Sequence, residues 1–174
     1  SPYVSGIYIC TGTDVYVYNN FISDLNAPNA AATDAIRGIN IASATANATR
    51  NLYYNTIFLN ASSSGTNFGS TGIYHINSTT ATSAALDMRN NNVVNLSTPN
   101  GTGLTVAFRR SAVNANLNNY TTLSNNNNFY AGTPGASNLI FSDGTNNLQT
   151  IEDFKVLVDP RETLSVSGNP PFSV

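Results

Sequence analysis

Nine carboxylates, one histidine and one cysteine hold all the acid, base and thiol chemistry of this chain of 174 residues. Cleaving a polysaccharide needs carboxylates gathered in one place, or calcium-binding acids beside a base that takes the proton α to a uronate carboxyl. The acids Asp14, Asp24, Asp34, Asp87, Asp143, Glu152, Asp153, Asp159 and Glu162 are instead mostly isolated, and the adjacent pair Glu152–Asp153 falls in a segment with helical spacing. Asp87 and Arg89 in "LDMRN" share one face of a strand and form the best acid and base pair on offer. A surface ion pair is the plainer outcome of that spacing. His75 sits between Tyr74 and Ile76 with no acid or nucleophile near it in sequence, so it reads as a strand or loop histidine. "SDGTNN" offers oxygen ligands for calcium in Asp143, Asn146 and Asn147, yet Asp-Gly is first a turn signal. The expectation is a chain with no catalytic residues, no metal and no cofactor. A gathering of Asp24, Asp87 and Asp143 in space would reverse it.

Composition narrows the partners. Only 9% of residues are charged, the net charge is −2, and Lys155 is the only lysine, while 28 positions are Asn. Polarity is therefore carried by amides and hydroxyls. Arg109-Arg110 is too short a basic run to hold a nucleic-acid backbone, which makes nucleic acid an unfit partner. A lone Cys10, in "GIYIC", excludes an internal disulfide and reads as a small apolar strand residue. No stretch approaches the roughly 18 to 20 apolar residues of a membrane span. The chain opens at Ser1, close to strand-like sequence, and is read as a processed product or a fragment.

What must position these residues is a repeat. "GIYI" at Gly6 to Ile9 recurs as "GINI" at Gly38, "GIYHI" at Gly72 and "GLTV" at Gly103. A second series, "NNFI", "YNTI", "NNVV" and "NNFY", carries Asn20, Asn55, Asn92 and Asn128 at intervals of 35, 37 and 36 residues. The copies alternate apolar and polar like strands, and Gly, Asn, Ser and Thr clusters separate them. Two short strands per period suit a coil that stacks on its predecessor. The prediction is an all-β parallel solenoid of four to five coils over residues 1–148, with Ile7, Ile39, Ile73 and Leu104 in one interior column and Ile22, Ile57, Val94 and Tyr130 in another. Asn20, Asn55, Asn92 and Asn128 then form a hydrogen-bonded ladder along the axis. Asn114, Asn116, Asn118 and Asn119 read as solvated loop residues.

Residues 149–174 behave differently. "TIEDFKVLV" places Ile151, Phe154, Leu157 and Val158 at helical spacing, with Thr150 as N-cap and Asp153 as its capping-box partner. The helix ends at Asp159, because the residue before Pro160 is driven out of the helical region. "SVSGNPPFSV" is extended enough to reach a neighbour, while the first coil shows no charged cap and only Pro2 to blunt it. End-to-end contact of subunits or domains is the resulting expectation.

"GIYI" followed by an Asn-rich "NNFI" or "NNNVV" segment resembles the right-handed parallel β-helix repeats of the pectin-lyase-like superfamily, over roughly Gly6 to Asp143. "LDMRNNNVVNLSTPNGTG", "VAFRRS" and "NNNNFYAGTPGASNLIFSDGT" are similar to segments of large secreted and surface proteins of bacteria. The resemblance implies the right-handed fold and an extracellular or cell-surface location; it selects no function, since this solenoid carries lyases, hydrolases, adhesins and fibre proteins alike. The Asp-pair and Gly-His-Gly motifs of the polygalacturonase branch are missing. Six sequons, at Asn47, Asn60, Asn77, Asn95, Asn100 and Asn119, match the number that chance gives in so Asn-rich a chain; each is a glycosylation candidate. Tyr8, Tyr16, Tyr18 and Tyr74 point outward and are candidates for stacking on sugar rings. A structural or adhesive module is therefore favoured, with a carbohydrate-binding or cleaving module as the alternative. An ice-binding face would need a regular threonine array, and "STTATS" occurs once.

Overall fold

A computed structural model describes residues 3–112 and 116–172 and shows a parallel β-solenoid of about four turns. The first coil runs through β1 (Val4–Ile9), β2 (Asp14–Tyr18) and β3 (Phe21–Ile22). The second repeats it as β4 (Ile36–Ile41), β5 (Thr49–Tyr53) and β6 (Thr56–Leu59), and the third as β7 (Ser70–His75), β8 (Ala85–Arg89) and β9 (Asn92–Asn95). The fourth keeps β10 (Thr105–Arg110) and β11 (Asn128–Tyr130) and marks the middle strand only by isolated bridges of Tyr120 to Leu86 and Asn125 to Arg89. A fifth begins with β12 (Asn138–Ser142), turns back antiparallel as β13 (Asn147–Leu148), and is closed by helix α1 (Ile151–Val158). Stacking gathers these strands into three sheets: β1-β4-β7-β10-β12-β13, β2-β5-β8 and β3-β6-β9-β11.

Register decides which residues share a column. Ile7, Ile39, Ile73, Phe108 and Phe141 align in the first sheet, so the fourth member is Phe108 and not Leu104. The equivalent of Gly38 and Gly72 is Ala107, which shifts that coil four residues from the "GLTV" motif. Those glycines face the interior, where a Cβ on Gly38 would lie 2.5 Å from Ile57 Cγ2 and one on Gly72 2.3 Å from Val93 Cγ1. In the third sheet Ile22, Ile57, Val93 and Phe129 form the column; Val94 and Tyr130, placed in it by the sequence pattern, lie one position on, on the other side of the strand, where Val94 is nonetheless fully covered and Tyr130 half-buried. The second sheet contributes Val17, Leu52 and Met88 to the same core.

Each coil enters its third strand through the same turn. Asn19, Tyr54, Asn90 and Asn126 all hold a φ between 55 and 60°, a left-handed conformation that Asn tolerates better than other side chains with a Cβ. The next residue points inward, the one after outward, and the one after that inward. This is why the ladder runs through Asn20, Asn55, Asn91 and Asn127, not through Asn92 and Asn128.

Helix α1 forms as its sequence predicts. Thr150 Oγ1 accepts from Asp153 N at 3.2 Å, and Ile151, Phe154 and Val158 are buried. Phe154 packs 5.0 Å from Phe141 and 5.6 Å from Phe129, sealing the last coil. The tail then lies on the molecule's own coils. Val166 bridges Asn128, and the Phe172 ring lies tilted 4.6 Å from that of Phe58 and 6.2 Å from that of Phe21, so the segment runs back across the outer face of the third sheet toward the first coil. Pro2 and Asn114 lie outside the described residues, as do the last two positions of the chain.

Candidate functional site

The longest polar feature is the interior ladder. Asn20, Asn55 and Asn91 each donate through Nδ2 to the Oδ1 of the next rung, at 2.9 Å in all three steps. The Oδ1 atoms of Asn55, Asn91 and Asn127 also receive the backbone N–H of the preceding rung. The second Nδ2 hydrogen of Asn55, Asn91 and Asn127 goes back to a carbonyl one coil earlier, at Val17, Leu52 and Met88. Both lone pairs and both amide protons of Asn55 and Asn91 are thus engaged. At the far end Asn127 Nδ2 donates to both oxygens of Glu162, a buried carboxylate that also accepts from Tyr120 Oη and Ser165 Oγ. Burial raises the Glu162 pKa, and these hydrogen bonds oppose the rise. Asn128 and Asn92 instead form an outer rung, Nδ2 to Oδ1 at 2.7 Å.

The outer face of the second sheet holds the best acid and base pair. Arg89 grips Asp87 with two hydrogen bonds, and Tyr53 Oη donates to the same carboxylate at 2.8 Å. Burial, then the bond to Asp87, pushes Tyr53 up to about 12. A carboxylate so engaged is a structural anchor. Tyr16 and Tyr18, about 60% exposed, stand in register with Asn51 and Tyr53 on this face. Tyr53, Tyr54, Arg89 and Asn90 line a shallow depression of about 230 Å³ beside them. Sequence reasoning missed Tyr53 and Tyr54; the signal was a tyrosine at a turn position that the other three coils give to Asn.

On the outer face of the first sheet, Tyr8 is exposed and Tyr74 is not free. The Arg37 guanidinium lies 3.5 Å from the centre of the Tyr74 ring and 4.0 Å from that of Tyr3, and pairs with Asp34 at 2.7 Å. The column that holds Tyr8, Asn40 and Tyr74 continues with Arg109. The four candidate tyrosines therefore occupy two different faces.

His75 is enclosed, with Nε2 at 2.9 Å from Ala84 O and Nδ1 at 2.6 Å from Arg110 Nη1. Arg110 can only donate and Ala84 O only accept, so Nδ1 is the acceptor and Nε2 the donor of a neutral ring, the form that burial and then Arg110 favour by holding its pKa well below the usual 6.5. Arg110 reaches Asn119 Oδ1 at 2.8 Å, and burial lowers this guanidinium to about 10. Asn119 is itself buried, donating to Ile76 O and Ser83 O, while Asn116 Nδ2 donates to Asn77; neither is the solvated loop residue its sequence suggests. Arg50 is enclosed too, donating from Nη1 to Gly12 O and Thr49 O, with Nε and Nη2 unpartnered.

Asp143 closes a turn, accepting from Thr145 N, Asn146 N and Asn146 Nδ2, while Asn147 Oδ1 accepts from Ser142. These oxygens hold the turn and leave calcium no ready cage. Among the described residues no three His, Cys, Asp or Glu side chains gather, so Asp24, Asp87 and Asp143 stay apart. Cys10 lies exposed just past β1, not within a strand. Of the sequons, Asn47, Asn60 and Asn100 are exposed; Asn77, Asn95 and Asn119 are buried and hydrogen-bonded, so a glycan cannot sit on them in the folded chain. No helix among the described residues is long and apolar enough to cross a membrane. No family model, no curated protein and no solved structure matches the chain.

Proposed function

We propose that this chain is a non-catalytic structural or adhesive unit of a secreted or surface protein, in which the solenoid acts as a stiff, nearly neutral spacer. The supporting observation is the disposition of Asp87, the acid best placed for chemistry, whose oxygens are taken by Arg89 and Tyr53. A general acid or base must offer its carboxyl to substrate, and this one is 6% exposed and accepts three hydrogen bonds from Arg89 and Tyr53. Assays for reducing ends and for unsaturated products, run over uronate, neutral and amino-sugar polymers, should find no turnover. Cleavage that disappears in Asp87→Ala would overturn the reading.

A second reading, glycan binding, draws on Tyr16 and Tyr18. Their rings are exposed side by side on one strand face, a setting that suits stacking on a neutral pyranose, with the phenol hydroxyls as hydrogen-bonding partners for its hydroxyls. Calorimetry against neutral and acidic oligosaccharides tests it. Binding that survives Tyr16→Ala and Tyr18→Ala together would remove this face from consideration.

A further inference from the structure

Three arginines of this chain can be compared by what they do with one edge of the guanidinium. Arg37 turns Nε and Nη2 to Asp34 at 2.9 and 2.7 Å, and Arg89 turns Nε and Nη2 to Asp87 at 2.8 and 2.6 Å. Arg50 is set deeper than either, with no exposed surface, yet its Nε and Nη2 meet no acceptor among the described residues. Its Nη1 donates to Gly12 O at 3.0 Å and Thr49 O at 2.8 Å, which anchors the group at the corner where the first coil passes from β1 to β2. Because the guanidinium is planar, the Nε–Nη2 edge is the one opposite Nη1 and looks away from both carbonyls. No negative charge stands beside it. Its neighbours in the column are Val15 and Leu86, and the ion pairs of the described residues join Arg37 and Arg109 to Asp34 and Arg89 to Asp87. The acid whose field reaches Arg50 is Asp14, which is exposed and accepts from Thr49 Oγ1 at 2.8 Å. Arg110, the other enclosed arginine, at least gives Nη1 to His75 and Nη2 to Asn119 and has the Tyr120 ring 5.7 Å away.

We infer that Arg50 Nε and Nη2 hold one small oxyanion of the formate or bicarbonate class, enclosed at the corner between the first and second sheets. The chemistry of the edge selects the ligand: two parallel N–H donors match the two oxygens of a carboxylate, which is how Arg89 meets Asp87 on the outer face of the same sheet. Charge selects it too, since a buried guanidinium without a counter-charge is strongly disfavoured. Enclosure of the whole side chain limits the ligand to a few atoms. Gly12, whose carbonyl covers the group on one side, is itself exposed, so a single turn of backbone separates the guanidinium from solvent there. The competing occupant is water, which can accept from both N–H groups but leaves the charge uncompensated. The inference is independent of the scaffold reading, because a spacer, a glycan binder and an enzyme could each carry such an anion inside.

The test uses formate as the probe and chloride as the reference. The full chain, dialysed into sodium chloride, should melt about 2 °C or more higher once formate replaces chloride at equal ionic strength, and the rise should saturate as formate increases. Arg50→Met removes the fork and should melt alike in the two salts. Titrating formate into the isotope-labelled parent chain should also move the Arg50 Nε–H resonance along a saturating curve with the midpoint found in the melts, a readout that stands even if the variant does not fold. Equal melts of the parent in the two salts, a formate rise that persists in Arg50→Met, or an Arg50 Nε–H that is protected from exchange in chloride and unmoved by formate would each overturn the inference; the last would make water the occupant.

Discussion

The two ends of this solenoid solve opposite problems with the same repeat. At the N-terminal end the interior is aliphatic, with Ile7, Ile9, Val15, Val17 and Ile22, and among the described residues β1, β2 and β3 pair on one side only. At the C-terminal end the corresponding columns turn aromatic, and Phe108, Phe129 and Phe141 pack around Phe154 of the closing helix. The first sheet is stopped there by antiparallel β13, the third by the bridge to Val166, and the ladder by a carboxylate that accepts from its last amide. Continuing a stack needs only another similar coil. Ending one needs a change of chemistry at every column at once.

The contrast can be broken most sharply in the core. Phe154→Ala should cost about 3 to 5 kcal/mol, because it empties the centre of the aromatic cap, while Ile7→Ala at the open end should cost less than about 1.5 kcal/mol, since Ile7 is already partly exposed. Chemical denaturation measures both, and equal costs would remove the asymmetry. The ladder gives the next largest difference. Asn91→Leu removes the acceptor of Asn55 N, one of the two acceptors of Asn55 Nδ2, one of the two donors to Asn127 Oδ1 and the amide that serves Leu52 O, and should cost roughly 3 kcal/mol or more, against less than about 1 kcal/mol for Asn20→Leu. Thermal melts of the two variants side by side would show it.

A third test uses pH. His75 is held neutral with its folded pKa below 6.5, so its contribution is fully present above that value and is lost as pH falls below it, when the unfolded chain takes a proton that the folded chain refuses. The loss should begin near pH 6.5 at about 0.7 kcal/mol per pH unit and steepen toward about 1.4 kcal/mol per pH unit a unit or more lower. Urea titrations at pH 7, 6 and 5.5 should show this steepening fall, and His75→Asn should flatten it. The smallest effect belongs to Arg50. Its Nε and Nη2 are buried without partners, so Arg50→Met should change stability by under about 1 kcal/mol, and a gain is as consistent as a loss. A loss of several kcal/mol would mean that those groups are held by something further.

Much of the fold was legible because alternation and a period near 35 residues are robust to local error. Ile7, Ile39 and Ile73 align as the pattern requires, as do Ile22 and Ile57, and helix α1 follows from Thr150 and Asp153. The phase of the later coils was not legible. In "RNNNVVN" and "SNNNNFY" consecutive asparagines allow two alignments, and only the left-handed turn at Asn90 and Asn126 selects the one that puts Asn91 and Asn127 inside. Ala107 hid its coil for a related reason, since the sequence marks that position by glycine elsewhere. Glu162 could not be found at all. Nothing in "DPRETLS" reveals that a carboxylate far along the chain will receive the last rung. Three of the six sequons, Asn77, Asn95 and Asn119, are buried, which spacing does not report.

The course of the tail carries a mechanical consequence. Val166 is fixed beside the fourth coil, yet Phe172 rests on Phe58 and Phe21 of the second and first coils, so the described chain leaves the solenoid near where it entered. Tension applied between residues 3 and 172 would not stretch the stack along its axis. It would peel the strap from the third sheet, beginning at the two ring contacts of Phe172 and reaching Asn128 and the bridge to Val166 only afterwards. Contacts broken one after another in this way yield at lower force than the same contacts sheared together. The coils beneath would stay shut while the strap lifted.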